Sequence, residues 1–200
     1  YTTLFRSKQD RKKYKGISCR CVDANGTLIG NESFQGDYLD TSELDYRYKK
    51  KYTGELWGVV RTDVMKEFPF PSIMGLKFYP EVVIWDNMAN KYLTRYINDG
   101  LRVYYHDQEN ATTFSKKNTR YKENYYLWLH YINDIWKFKR YEKKQFCKAL
   151  IGISRDGLLS GKSVREIFQD IHSSSLKFIV FMLLPVSIAF KQRDLKQINS

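Results

Sequence analysis

The sequence predicts an α/β domain over residues 1–119 and an all-helical tail over residues 120–200. Two segments, 16–22 and 55–61, have the apolar alternation or the β-branched and aromatic content that is typical of strands. Residues 80–96 carry apolar side chains at spacings of three and four, which is typical of an amphipathic helix. The tail is aromatic and basic, and its apolar residues recur at helical spacing. Strands mixed with a helix, followed by helices alone, indicate this two-part organisation.

Composition narrows the class of protein. The chain has 200 residues, of which 42% are hydrophobic and 16% aromatic, so a core can form and a disordered chain is excluded. Lys and Arg number 34 against 22 Asp and Glu, for a net charge of +12. This excess favours anionic partners: nucleic acid, acidic lipid headgroups or phosphorylated substrates. The three cysteines form neither a zinc motif nor a disulfide framework, which predicts reduced thiols in a cytosolic protein.

The first predicted strand places Ile17, Cys19 and Cys21 on one face. The Asp-Ala-Asn-Gly sequence at 23–26 is a turn signal, and residues 27–30 are predicted to return as the second strand of a hairpin. Residues 31–48 are predicted to form a loop with a short helix.

After the strand at 55–61, Thr62 or Asp63 is expected to cap a short helix that ends before the Phe-Pro-Phe-Pro sequence. Pro80 suits the first turn of the helix predicted over 80–96. The apolar stripe of that helix consists of Trp85, Met88, Ala89, Tyr92 and Tyr96. Residues 101–105 are predicted to be the last strand.

In the tail, residues 120–150 are predicted to be helical, with breaks at Gly157 and Gly161. Ser163 and Glu166 have the spacing of a capping box. Residues 176–190 are almost entirely apolar, contain Pro185 and are shorter than the roughly 20 residues that span a bilayer.

Cationic side chains flank this apolar run at Lys177, Lys191, Arg193 and Lys196. An apolar helix with cationic ends suits the interface of an anionic membrane. The alternative is a docking helix that is buried against the domain.

Several motifs occur in a suggestive order: G-E-L-W-G-V-V-R-T, F-P-F-P, K-F-Y-P-E-V-V-I-W-D and I-N-D-G-L-R-V-Y-Y. Together they resemble the C-terminal half of the catalytic domain of family 2 glycosyltransferases, which have the GT-A fold. Upstream, G-I-S-C-R-C-V-D-A-N-G-T-L-I-G resembles the segment after the metal-binding DxD loop of these enzymes. The resemblance covers about residues 16–107, and the helices that follow resemble membrane-associated tails of polysaccharide-synthesis members.

The resemblance implies the acceptor-side half of a Rossmann-like GT-A domain. The implied enzyme is a hexosyltransferase that moves a sugar from a nucleotide-sugar donor to a saccharide or lipid-linked acceptor in bacterial surface polysaccharide synthesis. It would lie peripherally on the cytoplasmic face of the inner membrane. The complete enzyme would use Mg²⁺ or Mn²⁺, with metal ligands mostly outside this chain. Tyr1 opens the chain without an initiator methionine, and neither the donor-binding sheet nor a DxD is found, so we expect a fragment that is inactive alone.

Inverting sugar transfer needs a general base to deprotonate the acceptor hydroxyl. The resemblance implies that Glu81 is this base. Asp86, one turn further along, is the competing candidate because related enzymes often have a Glu-Asp pair in this neighbourhood. The chain departs from the family at Val82, where many members carry the second acid directly after the first. The plainer interpretation of Glu81 is a first-turn acid that interacts with the helix dipole. No metal ligand is expected within this chain, and His106 is interpreted as a surface histidine. The predicted substrate-binding residues are Glu55, Trp57, Trp85, Arg102 and Tyr105.

Each predicted substrate contact has a structural alternative. Trp57 and Trp85 could be core residues, and Glu55, Arg102 and Tyr105 could be surface side chains. Two other functions stay open. The interleaved basic and aromatic residues of 120–148 suit a nucleic-acid-binding module, although no helix-turn-helix, zinc-finger or RNP signature occurs and a nucleic acid partner is not expected. The third possibility is a non-catalytic, membrane-associated scaffold.

Overall fold

A computed structural model of the protein describes residues 12–31, 33–76, 78–105 and 120–198. The fold is mixed α/β with one four-stranded sheet, which confirms the predicted class. The chain divides into two compact units. The sheet unit comprises residues 1–69 and 84–111, and the helical unit comprises residues 70–83 and 112–200.

The sheet consists of β1 (Tyr14–Val22), β2 (Tyr38–Thr41), β3 (Leu56–Val60) and β4 (Leu93–Val103). The strand order is β2-β4-β1-β3. The two long strands, β1 and β4, are parallel and occupy the centre of the sheet. The shorter strands β2 and β3 pair antiparallel at its edges. Both strands predicted at 16–22 and 55–61 are confirmed.

The turn after β1 forms where the Asp-Ala-Asn-Gly sequence predicts it. The Gly26 backbone N–H donates to the Asp23 carbonyl at 3.1 Å. The Asp23 carboxylate accepts from the backbone N–H groups of Asn25 and Thr27, which closes an Asx turn. The predicted return strand is reduced to a single antiparallel bridge between Val22 and Leu28.

The segment 31–48 was expected to be a loop with a short helix, and it contains more regular structure than that. It includes β2 and the start of a π-helical turn, Asp45–Lys49. The next helix, α1, is Thr62–Glu67, so the expected helix exists. The expected cap is wrong, because the N-cap is Arg61 and has no side-chain cap hydrogen bond. Asp63 instead forms an ion pair with Arg61.

The helix predicted over 80–96 is too long. Helix α2 is Glu81–Ala89, and the chain then turns into β4, so Tyr92 follows the helix and Tyr96 lies in a strand. A spacing of four residues satisfies both the helical period and the two-residue period of a strand. Tyr92 and Tyr96 therefore fitted either structure, and pairing with β1 and β2 on both sides decided for the strand.

One core cluster of the sheet unit is aromatic. Tyr46 of the π-helical turn stacks on Tyr96 of β4 with ring centroids 4.0 Å apart. Phe34 packs against the same cluster, together with the half-buried Tyr52 and Leu56. The π-helical turn is thus held against the sheet by ring stacking.

The helical unit contains α3 (Tyr121–Asn133), a 3₁₀ turn (Trp136–Phe138), α4 (Lys143–Leu159), α5 (Val164–Asp170) and α6 (Ser174–Ile198). Its core is mostly aliphatic, with one buried tyrosine, and includes side chains from all four helices. The fully buried members are Tyr125, Ile132, Ala149, Ile153, Ile167, Ile171 and Val180. Residues 120–150 are therefore helical, as predicted, with a break at the 3₁₀ turn.

Two of the three predicted local signals in the tail are confirmed. Ser163 and Glu166 form the capping box of α5, with both reciprocal hydrogen bonds present. Gly161 follows α4 with a φ of +89°, a conformation that favours glycine at the end of a helix. The break predicted at Gly157 is wrong, because Gly157 lies inside α4. A Cβ there would lie 2.7 Å from Cδ1 of Ile167, so close packing, rather than helix termination, requires this glycine.

Candidate functional site

The two candidate bases, Glu81 and Asp86, lie on the same helix but in different environments. Glu81 is the first residue of α2, follows Pro80 and is exposed. Within the described part of the chain, Glu81 has no ion-pair partner. Five residues at 3.6 per turn place Asp86 about 140° around the helix axis from Glu81. The two carboxylates therefore cannot serve the same cleft side by side.

Asp86 is fully buried, with 0% of its surface exposed. Its Oδ1 accepts a hydrogen bond from Nη1 of Arg47 at 2.8 Å. Arg47 also donates to Glu43 at 2.9 Å. Burial would lower the pKa of the Arg47 guanidinium, but the two carboxylate charges outweigh it and raise this pKa. Asp86 thus neutralises a cation inside the sheet unit, which is a structural role.

Trp85 is half-buried and contacts a charged pair. The Nζ atom of Lys15 lies 5.3 Å from the centroid of the Trp85 ring, and Lys15 also forms an ion pair with Glu43. Because Lys15 is itself buried, the ring replaces part of the solvation that this cation has lost. Trp85 therefore packs against a cation of the sheet unit.

Trp57 has a different environment, since 42% of its surface is exposed on β3. It lines an open recess of about 460 Å³ on one face of the sheet. The other lining residues are Ile17, Cys19, Gly58, Val59, Ile97 and Leu101. All of these side chains are apolar or weakly polar. Cys19 carries the one thiol among them, and burial raises the pKa of that thiol. The recess thus offers an aromatic plane but no strong hydrogen-bonding side chain.

Glu55 and Arg102 are brought close to one residue, Cys21. The Cys21 backbone N–H donates to the Glu55 carbonyl at 3.2 Å, and Cys21 is the register partner of Arg102 in β4. The side chains of Glu55 and Arg102 are exposed, so one negative and one positive charge flank the end of β1. Tyr105 is also exposed, two residues after β4. His106 lies outside the described residues.

A second group of charged residues was not anticipated from the sequence. Asp40 of β2 accepts hydrogen bonds from Tyr14 at 2.7 Å and from two nitrogens of Arg95 at 2.8 and 2.6 Å. Burial raises the pKa of Asp40, but these hydrogen bonds outweigh it and hold the pKa below its usual value. The sequence did contain a signal for the neighbouring pair Glu43 and Arg47: they are four residues apart, a spacing that suits an ion pair on one helical turn. No local spacing could link Asp40 with Arg95.

The cysteines and possible metal ligands add little chemistry. All three cysteines are free thiols, and Cys19 and Cys21 are buried. Over residues 12–31, 33–76, 78–105 and 120–198, no group of three His, Cys, Asp or Glu side chains is arranged to hold a metal ion. The expectation that the complete enzyme uses Mg²⁺ or Mn²⁺ stays a prediction.

Comparisons with known proteins identify no relative. No family model, no curated protein and no solved structure matches the chain. The assignment of a function therefore depends on the residues described above.

Proposed function

We propose that this chain forms the acceptor-side half of a GT-A glycosyltransferase, in which Glu81 is the general base. The donor would be a nucleotide sugar, and the acceptor a saccharide or a lipid-linked saccharide. The observation that carries the proposal is the exposed carboxylate of Glu81 at the first residue of α2, the helix that leads into the central strand β4.

The competing base is disfavoured by its environment. A general base must reach the proton of the acceptor hydroxyl within about 2.6–3.2 Å. Asp86 has no exposed surface and is bound to Arg47, so an acceptor could reach it only after the ion pair had broken. Glu81 meets the requirement for access without any rearrangement.

The remaining residues receive roles at the acceptor side. Glu55 and Arg102 flank the end of β1 with opposite charges and could bind acceptor hydroxyls or phosphate, and the exposed Tyr105 could stack on a sugar. Trp57 lines an apolar recess and could contact the apolar face of a sugar or of a lipid. Trp85, which contacts Lys15, is assigned a packing role. A divalent metal bound by the donor-binding half would stabilise the departing diphosphate.

The first test is Glu81→Gln in the complete enzyme that contains this chain and its donor-binding half. We expect kcat to fall by about 10²–10⁴-fold, the usual contribution of a general base, with donor affinity unchanged. Glu123→Gln is the matched control, because Glu123 is also a first-turn acid, in α3. A kcat within about twofold of the wild-type value would reject Glu81 as the base.

A further inference from the structure

Helix α6 has one face that packs within the helical unit. Leu176 and Val180 belong to the buried core, and the Ser187 hydroxyl donates to the Ile151 carbonyl of α4 at 3.0 Å. Further along, Asp194 lies 3.7 Å from Arg155 of α4. The sequence left open whether this helix docks on the protein or lies in a membrane interface. The structure shows that one face of α6 is docked.

The opposite face of α6 is exposed and entirely apolar for more than three turns. Every exposed residue between 178 and 189 is apolar. We call the six largest of them the outer face of α6: Phe178, Ile179, Phe181, Met182, Val186 and Ile188. The exposed fractions of these six side chains range from 37% for Ile188 to 65% for Phe178. A contiguous apolar surface of this kind marks a site of contact with another molecule or with lipid.

The outer face continues into cationic residues. Lys196 lies about five helical turns after Phe178 at 3.6 residues per turn, and Arg193 about three turns after Met182, so both extend the same face. Both side chains are exposed. On this face, an apolar stretch thus ends in two cations. This combination is complementary to a bilayer interface, where acyl chains lie beside anionic headgroups.

By length and composition, Ser174–Lys196 is long and apolar enough to cross a membrane, with a mean hydropathy of 1.6. Its packing favours another orientation. Helix α4, which packs against α6, exposes Lys143, Lys144 and Lys148, and these would have to enter the hydrocarbon core if α6 spanned it. Pro185 has no N–H, so the Phe181 carbonyl lacks its helical donor and benefits from water at the interface.

We propose that the outer face of α6 binds the interface of an anionic bilayer, with the helix axis in the membrane plane and the docked face on the protein. This inference does not depend on the proposed glycosyl transfer. The net charge of +12 also favours an anionic surface over a second copy of this chain, since two such copies repel each other.

The test is co-sedimentation of the full chain with vesicles of phosphatidylcholine, with and without phosphatidylglycerol. We expect sedimentation with the anionic vesicles, and at least about a tenfold loss of bound protein in Phe178→Glu/Met182→Glu, because each apolar side chain contributes to burial. Met74→Glu is the matched control, since Met74 belongs to the helical unit and is 94% exposed. It adds the same type of side chain at one exposed apolar position outside the outer face and should bind like wild type.

Arg193→Glu/Lys196→Glu should weaken binding to anionic vesicles only, and should reduce its sensitivity to salt. Thermal melts of all variants should match wild type because the substituted side chains are exposed. If the glutamate pair impairs folding, Phe178→Ser/Met182→Ser replaces it in the same assay. Extraction by alkaline carbonate is expected, since the protein is peripheral.

Three results would overturn the proposal. The first is wild-type protein that stays in the supernatant with anionic vesicles. The second is resistance to carbonate extraction, which would show that α6 spans the bilayer. The third is a wild-type dimer in solution that Phe178→Glu/Met182→Glu converts to monomer without any vesicle binding, which would show that a second copy covers the outer face.

Discussion

Residue Asp86 illustrates how burial decides the role of a carboxylate. Two acids, Glu81 and Asp86, are close in sequence and equally able to act as bases in principle. The structure leaves Glu81 exposed and places Asp86 against Arg47 with no exposed surface. We therefore expect substitution of Glu81 to reduce activity and substitution of Asp86 to reduce stability.

Asp86→Asn should lower the free energy of unfolding by about 1.5–3 kcal/mol, because it weakens a charge-assisted hydrogen bond and leaves Arg47 with less compensation. Urea titration monitored by circular dichroism measures this change. Glu81→Gln should stay within about 0.5 kcal/mol of wild type, as surface substitutions usually do. Equal stability of the two variants would contradict the structural role of Asp86.

Asp40 should contribute to the dependence of stability on pH. Its pKa in the folded protein lies below the unfolded value, so its contribution is present above the unfolded pKa of about 3.9 and is lost as pH falls through the folded pKa. Asp40→Asn should therefore flatten the decline of Tm in acid, with a lower Tm near neutral pH. The exposed Asp37, substituted to Asn, serves as the control and should leave the profile unchanged. A wild-type profile in Asp40→Asn would show that the ion pair with Arg95 is not formed.

At the scale of the element, helix α4 shows tertiary contacts overruling intrinsic propensity. Gly152 and Gly157 lie inside this helix, where alanine is intrinsically better by about 1 kcal/mol. A Cβ on Gly152 would lie 2.5 Å from Nε1 of Trp128, the atom that donates to Asp156 at 2.6 Å. The missing side chain is thus needed for Trp128 to pack on α4 and satisfy a buried acid.

Gly152→Ala should destabilise the protein by about 1–3 kcal/mol, since overpacking displaces Trp128 and weakens its hydrogen bond. Helix propensity alone predicts the opposite sign. Chemical denaturation and the near-ultraviolet dichroism of the tryptophans measure the two effects. Lys144→Ala, at an exposed position of the same helix, should be neutral or slightly stabilising. A stabilised Gly152→Ala would mean that Trp128 does not contact α4 closely.

At the scale of the whole molecule, segments of the two units alternate along the chain. Residues 70–83 belong to the helical unit although they lie between β3 and β4 in sequence. The Met74 carbonyl accepts from Lys122 of α3 at 2.7 Å, and the Tyr79 ring lies 5.9 Å from Tyr126. A cut in the chain at residue 120 would therefore separate α3 from residues that it contacts.

Tyr79→Ala should loosen the helical unit and leave the sheet unit unchanged. Hydrogen exchange measured by mass spectrometry should accelerate in α3, because Tyr126 loses its ring contact, while β1 and β3 keep their protection. Met74→Ala is the control, since the Met74 side chain is almost fully exposed and its backbone contact with Lys122 is retained. Unchanged exchange in α3 would contradict this packing.

The sequence by itself determined the features that depend on local chemistry. The Asx turn at Asp23, the capping box at Ser163 and the end of α4 at Gly161 all involve neighbours in the chain. Local patterns also identified Glu81 as an acid at a helix start. Each of these features is specified by residues within about one helical turn of each other.

Only the tertiary structure decided the features that join distant residues. Tyr92 and Tyr96 suited a helix or a strand, and pairing with β1 and β2 placed Tyr96 in a strand. The burial of Asp86 depends on Arg47, 39 residues away, and the ion pair of Asp40 depends on Arg95, 55 residues away. Likewise, the apolar run in α6 did not show which of its faces is docked until α4 packed against it. A periodic pattern records which residues share a face, but only packing determines what that face contacts.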